Sequence, residues 1–399
     1  MFKIESLDHY GRGITRINGK IAFIENAIPN EIIEVRIEKE KNKYIEGNVL
    51  KYIEKSKNRK EVLCPYYNFC GGCNIMHLPY KEQLKFKQEK IKNIIKKYLN
   101  KNIKINNIVE SNNFDSYRNK VTFQVKNTIG FYKNKTYDII PIDNCLISNK
   151  LINKSISYLK KLNLKDISKI TCRTGLNELM IIIQTENINL DISPIKEIAQ
   201  SIYLKSNNEY IHVFGNKHIY EELENYKYVI SPESFFQINI NVCIKLYNKI
   251  KEYVGKNKNI IDLYCGTGSI GIFCNENNNI IGIELNESAI KDAIENKNLN
   301  NLKNIDFVCG DSGKKLKKLD FKPDVIIVDP PRNGLNKETI NNILDFDPKE
   351  IIYVSCDPMT LIRDLNILKE NYDIKEITPF DMFPNTYHVE TVVWMSLKK

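Results

Sequence analysis

The first 55 residues consist of short runs in which apolar and polar positions alternate. Residues 14–17 and 20–24 flank Asn18-Gly19, a dipeptide typical of a two-residue hairpin turn. The same alternation continues over residues 31–38 and 44–53. Several short strands, tight turns and the lack of a helical period predict a small β-barrel.

The middle of the chain combines one helical pattern with strand-like runs. Between residues 80 and 99, apolar side chains recur at helical intervals and lysines fill much of the remainder, which predicts a helix with a solvated basic face. Residues 110–230 then contain strand-like runs at 120–126 and 179–184. We therefore expect a central α+β domain over residues 58–229, with the helix at 80–99 able to pack on the domain that follows.

After residue 230, short apolar runs alternate with helix-like segments. Runs of this kind fit the buried parallel strands of a βαβ sheet. The pattern predicts a Rossmann-like α/β domain over residues 230–399. The predicted strands are residues 260–264, 280–284, 325–328, 351–355 and 390–395.

Composition excludes several classes of protein. Of the 399 residues, 42% are hydrophobic and 27% are charged, as in a globular protein. No run approaches the ~18 apolar residues of a membrane helix. The chain does not open with a basic region followed by an apolar core, so we expect a cytoplasmic protein without membrane contact.

Positive charge is confined to one part of the chain. The formal net charge is +10, from 59 basic and 49 acidic side chains. Residues 1–150 carry 28 basic and 16 acidic side chains, a net +12, whereas residues 151–399 carry 31 and 33, a net −2. A codon bias towards lysine would spread evenly, so the uneven distribution favours contact of the N-terminal part with a polyanion.

A glycine-rich turn follows the first predicted strand of the α/β domain. Cys265-Gly-Thr-Gly268 lets the backbone turn tightly and approach a ligand, and Gly266 is a candidate contact. Eighteen residues beyond Gly266, Glu284 ends the next strand, where a carboxylate suits ribose hydroxyls. Asp311 follows the third strand, where it could accept from an adenine amino group. Because the turn lacks the Gly-x-Gly-x-x-Gly pattern of dinucleotide sites, the sequence predicts a site for a nucleoside such as S-adenosylmethionine.

Three candidate reacting residues lie at strand ends of the same domain. Asp329 precedes Pro-Pro-Arg332, and Cys356 stands at the tip of the next strand, where a thiol beside a cofactor is placed for nucleophilic attack. A buried structural thiol is the usual alternative for a single cysteine, but a position outside the strand argues against it here. Glu390 begins the last strand and has the chemistry of a general base, although an isolated glutamate on a strand is more often a surface residue.

Three of the ten cysteines stand in one loop. Cys64, Cys70 and Cys73 are separated by residues that include two glycines, which let the chain wrap closely around a ligand, and Cys145 could complete the set. Four thiolates suit zinc or a 4Fe–4S cluster, and the spacing favours iron–sulfur without excluding zinc. Five cysteines are expected in the core: Cys172, Cys243, Cys265, Cys274 and Cys309.

These motifs together resemble the S-adenosylmethionine-dependent RNA 5-methyluridine methyltransferases, which have a class I methyltransferase domain. The motifs that carry the resemblance are Phe235-Phe-Gln237-Ile-Asn, Asp262-Leu-Tyr264-Cys-Gly, Asp329-Pro-Pro-Arg, Ser355-Cys356-Asp-Pro and His388-Val-Glu390-Thr-Val. The resemblance implies that Cys356 is the nucleophile and Glu390 the base. The residues that it implies for the cofactor site are Gln237, Tyr264, Glu284, Asp311 and Asp329. One departure is Asp357, because the family usually has Asn after the nucleophile.

The resemblance extends to the other domains and to the partners. Residues 1–57 resemble a TRAM domain, an RNA-binding β-barrel, and family members with this cysteine pattern carry a 4Fe–4S cluster in the central domain. Arg118 and Lys120 match a family element and are candidate RNA contacts, against the alternative of a solvated strand edge. The implied activity is methyl transfer to C5 of a uridine through a covalent bond between Cys356 and C6. We expect 23S rRNA as the substrate and a monomer without an obligate protein partner.

Other interpretations stay open at this point. The nearest is methylation of a T-loop uridine in tRNA. A radical-SAM methylthiotransferase can carry a TRAM-like module, but it typically binds its cluster through Cys-x3-Cys-x2-Cys, whereas this chain has Cys-x5-Cys-x2-Cys. An exocyclic-amine methyltransferase would prefer an aromatic residue in place of Arg332 and needs no nucleophilic cysteine. A non-catalytic RNA-binding scaffold would not need intact cofactor and nucleophile motifs.

Overall fold

The computed structural model describes residues 1–99, 102–317 and 319–399. Within these residues the chain forms four β-sheets, of six, seven, two and eight strands, and eight α-helices. The sheets follow one another along the chain, apart from one short strand that joins the last sheet from far upstream. In the described ranges, no helix combines the length and the apolar character needed to cross a membrane.

The N-terminal sheet curls around an isoleucine-rich interior. Its strands are β1 (Phe2–Lys3), β2 (Ser6–Leu7), β3 (Gly13–Ile17), β4 (Lys20–Glu25), β5 (Ile32–Glu40) and β6 (Tyr44–Glu54), in the order β1-β5-β6-β4-β3-β2. Asn18 and Gly19, with φ of 51° and 77°, form the turn between β3 and β4 and confirm the predicted hairpin. The Glu5 amide donates to the Ile14 carbonyl at 2.9 Å, which links the β1 end of the sheet to β3.

The central segment begins with helix α1 (Tyr80–Tyr98) and strand β7 (Lys104–Ile105) and then forms its own seven-stranded sheet. The strands of this sheet are β8 (Lys120–Val125), β9 (Ile129–Tyr132), β10 (Ile139–Pro141), β11 (Ile167–Thr174), β12 (Leu179–Thr185), β13 (Ser201–Ser206) and β14 (Glu209–Gly215), and helix α2 (Lys150–Leu159) lies between β10 and β11 in the chain. The strand order is β10-β9-β8-β11-β12-β13-β14, antiparallel except between β12 and β13. The two strands predicted in this segment are confirmed as β8 and β12.

A hairpin of β15 (Ile219–Leu223) and β16 (Tyr226–Ile230) leads into the C-terminal domain. The further strands are β17 (Asn259–Leu263), β18 (Asn279–Glu284), β19 (Ile305–Cys309), β20 (Val325–Val328), β21 (Glu350–Ser355), β22 (Tyr372–Phe380) and β23 (Glu390–Leu397). The helices are α3 (Ile240–Val254), α4 (Ser269–Phe273), α5 (Glu287–Leu299), α6 (Ser312–Leu316), α7 (Lys337–Phe346) and α8 (Pro358–Leu368).

The eight strands of the last sheet lie in the order β19-β18-β17-β20-β21-β23-β22-β7. Strands β17 to β21 are parallel, and the strand order reverses between β17 and β20, which is where open α/β sheets bind ligands. Strand β23 runs antiparallel between β21 and β22. The five strands predicted from apolar runs are confirmed to within one or two residues, and the third strand expected before Asp311 is β19. The pattern did not predict β22 or the short β7.

Helix α1 and strand β7 pack on the C-terminal domain. Ile91, Ile94 and Ile95 of α1 join the apolar core under β17, β20 and β21, and β7 pairs in parallel with β22. The expectation that the helix predicted at residues 80–99 could pack on the following domain is therefore confirmed, and both α1 and β7 join the C-terminal domain in space. An amphipathic pattern indicates that a helix has an apolar face, but it does not indicate which core that face joins.

Residues 381–389, which we call the bridging loop, connect β22 to β23 and contact other parts of the chain. The buried Lys87 of α1 donates to the buried carboxylate of Asp381, and its Nζ also donates to the Phe383 carbonyl at 3.0 Å. The Tyr117 hydroxyl donates to the Pro384 carbonyl at 3.0 Å. These contacts fix the segment that leads into Glu390.

Replacing Lys87 by methionine should destabilise the protein strongly, because it leaves the Asp381 carboxylate buried without its cation. We expect a loss of about 3–5 kcal/mol in the free energy of unfolding. The free energy of unfolding is measured by urea titration, monitored through the fluorescence of Trp394, which is the single tryptophan and lies in the C-terminal sheet. The control is Lys92→Met on the same helix, where the pair with Glu89 is exposed and the expected loss is below about 1 kcal/mol. Equal losses in both variants would contradict a structural role of the buried pair.

Candidate active site

The turn that follows β17 has a backbone conformation that depends on glycine. Tyr264, Gly266 and Gly268 have φ of 62°, 53° and 75°. A Cβ at Gly268 would lie 2.4 Å from the Phe307 ring, so both the conformation and the close packing require glycine there. A Cβ at Gly266 would meet nothing within 4 Å, so the turn leaves open space on that side. The half-buried backbone at Gly266 therefore borders open space and is accessible to a ligand.

Glu284 at the end of β18 is held against this turn. Its Oε2 accepts from the Gly266 amide at 3.1 Å, and its Oε1 accepts from the Asn286 amide at 2.9 Å. Each carboxylate oxygen can accept a further bond, so the group is oriented and still able to receive two ribose hydroxyls. The structure thus joins the glycine turn and the carboxylate that were predicted to act together.

Asp311 and Tyr264 stand at the same edge of the sheet. Asp311 follows β19 and caps α6, where its Oδ1 accepts from the Lys314 amide at 3.0 Å. The Tyr264 hydroxyl lies 3.3 Å from Oγ1 of Thr339. Capping of α6 gives Asp311 a structural role through Oδ1, and Oδ2 of the same carboxylate remains able to accept from another donor.

A buried carboxylate beneath the turn was missed as a functional candidate. Asp262 of β17 is fully buried, and its Oδ2 accepts from the Gly271 amide at 3.0 Å. Its Oδ1 has no hydrogen-bond partner among the described residues. Burial and the neighbouring Asp329 raise the pKa of Asp262 to about 8. An acidic residue inside an apolar strand was the signal in the sequence.

Cys356, Glu390 and Asp329 meet at the carboxyl edge of adjoining strands. Strand β21 pairs with β23 so that Ser355 lies opposite Thr391, which places Cys356 and Glu390 at the next position of the two strands. Asp329 follows β20, the other neighbour of β21, and its amide donates to the Leu263 carbonyl at 3.4 Å. The thiol and the two carboxyl groups therefore stand beside the glycine turn.

Burial shifts the proton affinity of all three groups, and neighbouring charges add to the shift for Cys356 and Glu390. Burial raises the pKa of the Cys356 thiol to about 11, and Glu390 and Asp329 add to the rise while Arg332 opposes it. Burial also raises the pKa of Glu390 well above its usual value, again with Asp329 adding to the rise and Arg332 opposing it. Burial raises the pKa of Asp329 to about 7. Clustered groups with perturbed pKa values are typical of reactive sites.

The structure gives Asp357 a local role. It is the N-cap of α8, where its Oδ1 accepts from the amides of Met359 and Thr360 at 2.9 Å and 3.0 Å. Asp and Asn cap helices about equally well, so the exchange preserves this helix start. The Thr360 hydroxyl donates to the Arg332 carbonyl at 3.1 Å, which ties the loop after Asp329 to the loop of Cys356.

Three further predicted residues belong to other parts of the chain. Gln237 is buried in the loop between β16 and α3, and its backbone carbonyl accepts from Nδ2 of Asn119 at 3.0 Å. Arg118 and Lys120 line the cavity that the four cysteines also line, so they stand next to the cysteine loop. A contact of Gln237 with the cofactor, and contacts of Arg118 and Lys120 with RNA, stay predictions.

The four cysteines of the predicted cluster face one cavity of about 570 Å³. Cys64, Cys73 and Cys145 also pack against a small apolar group that includes Tyr67 and Tyr117. Burial raises the pKa of the Cys73 thiol, and each of the other three cysteines adds to the rise, which reflects how close the four lie. The structure therefore brings the distant Cys145 to the loop that holds the other three.

The cavity does not have the geometry of a single-ion site. Across the described ranges, no group of three or more His, Cys, Asp or Glu side chains is arranged to hold one metal ion. The iron–sulfur centre that the resemblance implies is thus not confirmed. The donor set fits such a group chemically, since four thiols surround a cavity larger than one ion requires.

Two family models match the chain. Residues 79–398 match the model described as tRNA (Uracil-5-)-methyltransferase, and residues 3–50 match the TRAM domain. An uncharacterized RNA methyltransferase of Caldanaerobacter subterraneus is 36% identical over 98% of this chain and 96% of its own. One from Staphylococcus aureus is 36% identical over 99% of this chain and 97% of its own.

A solved structure is similar along the whole chain. The crystal structure of Pyrococcus abyssi tRNA (uracil-54, C5)-methyltransferase in complex with S-adenosyl-L-homocysteine has a TM-score of 0.82 and 30% identity and covers 99% of both chains. The agreement includes the N-terminal sheet and the class I methyltransferase domain. The chain belongs to the tRNA (uracil-5-)-methyltransferase family of S-adenosylmethionine-dependent RNA methyltransferases, and its N-terminal sheet is a TRAM domain.

Proposed function

We propose that this protein transfers a methyl group to C5 of a uridine in RNA, with Cys356 as the nucleophile and Glu390 as the general base. The observation that carries the proposal is the position of these two residues on paired strands, next to the turn that would hold a nucleoside. Binding of the methyl donor alone would require neither a thiol nor a buried carboxyl group there. Activation of a pyrimidine ring, and its later restoration, requires both.

The chemistry begins with the weakness of uracil C5 as a nucleophile. Addition of the Cys356 thiolate to C6 forms an S–C6 bond and moves the electron pair of the C5=C6 bond into an enolate, which makes C5 electron-rich. C5 then takes the methyl group from the sulfonium of S-adenosylmethionine, and the electron pair of the broken S–CH3 bond stays on the sulfur of the departing thioether, S-adenosylhomocysteine. Glu390 accepts the proton from C5, and the electrons of that bond restore C5=C6 as the S–C6 bond breaks.

The surroundings of Glu390 suit this sequence. A carboxylate whose pKa is raised by burial is a stronger base than one in water, so Glu390 is adapted to remove a proton from carbon. The guanidinium of Arg332 favours the ionised forms of both Cys356 and Glu390. We assign Asp329 an orienting role towards the base or the amino group of the cofactor, since it lies between the turn and Cys356.

The methyl donor would lie along the carboxyl ends of β17 to β19. Glu284 is oriented for the ribose hydroxyls, Asp311 for the adenine amino group, and the backbone at Gly266 is open to close approach. Tyr264 and Gln237 complete the proposed set. A uridine paired within a helix cannot reach this edge, so the target must be flipped out or already single-stranded.

RNA that contains 5-fluorouridine should form a stable covalent complex with the protein, because the fluorine at C5 cannot leave as a cation. The complex should run as a shifted band on a denaturing gel. Cys356→Ala should form none while keeping normal binding of S-adenosylmethionine, and Cys172→Ala, a cysteine of the central sheet, should behave like the wild type.

The rate of adduct formation should increase from pH 7 to pH 9. The attacking species is the thiolate, and burial raises the pKa of Cys356 to about 11, so the thiolate fraction increases throughout this range. An adduct with Cys356→Ala would exclude this nucleophile.

For the RNA, we propose 23S rRNA. The proposal rests on the resemblance of the TRAM domain and cysteine pattern to family members that act on this RNA, and on the net +12 of residues 1–150. The second candidate is tRNA, which is favoured by the similar structure from Pyrococcus abyssi, named as a tRNA (uracil-54, C5)-methyltransferase. Four cysteines around one cavity do not favour the methylthiotransferase interpretation, which needs an open iron.

Mapping of 5-methyluridine in a strain that lacks the gene separates the two RNAs. We expect the modification to be lost from 23S rRNA and retained in tRNA, and to be restored by the wild-type protein but not by Cys356→Ala. Loss from tRNA alone would exclude 23S rRNA as the substrate and leave the chemistry intact. Retention of every 5-methyluridine would contradict the proposed function.

We further propose that Cys64, Cys70, Cys73 and Cys145 hold a 4Fe–4S cluster. Methyl transfer needs no electron, so the group would supply a structural clamp between the loop of residues 64–73 and the segment of Cys145. The Asn74 and Ile75 amides donate to the Asn385 carbonyl at 3.0 Å and 3.1 Å, so the clamp would also steady the bridging loop.

Protein purified without oxygen should be brown and contain about four irons per chain, the composition of a 4Fe–4S cluster. Cys70→Ser should lower the iron content and the absorbance, whereas Cys172→Ser should leave both unchanged. Iron analysis and visible spectroscopy measure the two quantities. A colourless protein with one zinc per chain would reject the cluster.

A further inference from the structure

Three aromatic side chains form a continuous feature beside the candidate active site. The rings of Tyr10 in the TRAM domain and Tyr387 form a T-shaped pair, with centroids 5.3 Å apart and planes at 89°. The rings of Tyr387 and His388 follow at 4.3 Å. We call Tyr10, Tyr387 and His388 the aromatic strip. It ends two residues before Glu390, so it leads from the TRAM domain to the proposed base.

The strip is accessible and rigid. Tyr10 is 55% exposed, and Tyr387 and His388 are half-buried. The two half-buried rings belong to the bridging loop, which the buried Lys87–Asp381 pair holds in place. A single exposed aromatic residue is ordinary on a protein surface, but a fixed row of three beside a reactive thiol is suited to stacking flat groups.

Three basic side chains lie around the strip, and one of them, Arg12, is paired with Asp8 at 2.7 Å. Lys90 donates to the Tyr387 carbonyl at 3.0 Å, and its Nζ lies 5.2 Å from the centre of that ring. The Arg12 guanidinium lies 5.4 Å from the centre of the Tyr10 ring. Arg332 is exposed, and its charge opposes the burial-driven rise in the pKa values of Tyr387 and Cys356 and adds to the burial-driven fall in the pKa of His388. Aromatic faces among cations are typical of surfaces that bind single-stranded nucleic acid.

We propose that the aromatic strip stacks against the nucleobase next to the target uridine, so that Tyr10 of the TRAM domain forms one wall of the active-site entrance. The inference rests on the proposed function. Extrusion of a uridine leaves its neighbour without a stacking partner, and an aromatic side chain can replace that partner whatever the base. Lys90 and Arg332 are placed for the adjoining phosphates, which favours RNA over an apolar protein segment as the occupant.

The test measures methyl transfer from labelled S-adenosylmethionine to total RNA from a strain that lacks the gene. For Tyr10→Ala we expect the KM for RNA to rise about tenfold, the loss of one stacked base, with kcat and the KM for S-adenosylmethionine unchanged. Tyr10→Phe keeps the ring and should restore the wild-type KM. Tyr387→Leu removes the second ring and should raise the KM in the same way, which keeps the test valid if Tyr10→Ala unfolds.

The matched control is Tyr137→Ala. Tyr137 is 89% exposed and packs edge-on against Tyr132 at 5.6 Å, so it is a similar pair outside the strip, and its loss should leave the KM for RNA unchanged. An unchanged KM in both Tyr10→Ala and Tyr387→Leu would overturn the inference, and so would an equal rise in Tyr137→Ala. If the strip bound a protein instead of RNA, the KM for protein-free RNA would also stay unchanged in both variants, and the inference would be overturned. Absence of methyl transfer by the wild type would instead overturn the proposed function.

Discussion

The antiparallel direction of strand β23 brings the residues of the candidate active site together. In a parallel sheet the carboxyl edge receives only the residues that end each strand, and Cys356 and Asp329 reach it in this way. Strand β23 runs antiparallel between β21 and β22, so it begins where its neighbour ends. Its first residue, Glu390, therefore stands beside Cys356. A parallel β23 would place the carboxyl group at the opposite edge of the sheet.

The bridging loop sets the position of that first residue. It carries a buried ion pair between residues 294 positions apart, and such a pair is stable only when its remaining polar atoms are also satisfied. Lys87 meets this condition by donating to the Phe383 carbonyl as well. The loop also accepts hydrogen bonds from Tyr117 and from the segment after Cys73. The geometry of the proposed base thus depends on helix α1 and on the cysteine loop as much as on its own strand.

The sequence predicted the elements whose local pattern reflects their environment. Strands buried on both faces are continuous apolar runs, so β17, β20 and β21 could be recognised, and positive φ made the turn at Gly266 recognisable by its glycines. Strand β22 was missed because a bulge after Ile374 and the buried polar Glu376 and Thr378 interrupt its pattern.

Contacts between distant segments could not be predicted from the sequence. The placement of Arg118 and Lys120 beside the cysteines and the meeting of Tyr10 with Tyr387 depend on how the domains pack. The roles of Asp262 and Asp357 could be predicted only in part. Their residue types indicated a polar role, but only the packed turn and helix start identify the amides that they bind.

The position of strand β7 limits how the domains of such a protein can be exchanged by recombination. Its two residues cover the edge of the catalytic sheet beside β22, and the α1 isoleucines fill the core beneath that sheet. The catalytic body is therefore discontinuous in sequence, with a piece that precedes the central domain. A recombination event that joined residues 230–399 to another RNA-binding module would leave this piece behind, so the central domain is better regarded as an insertion than as an exchangeable neighbour.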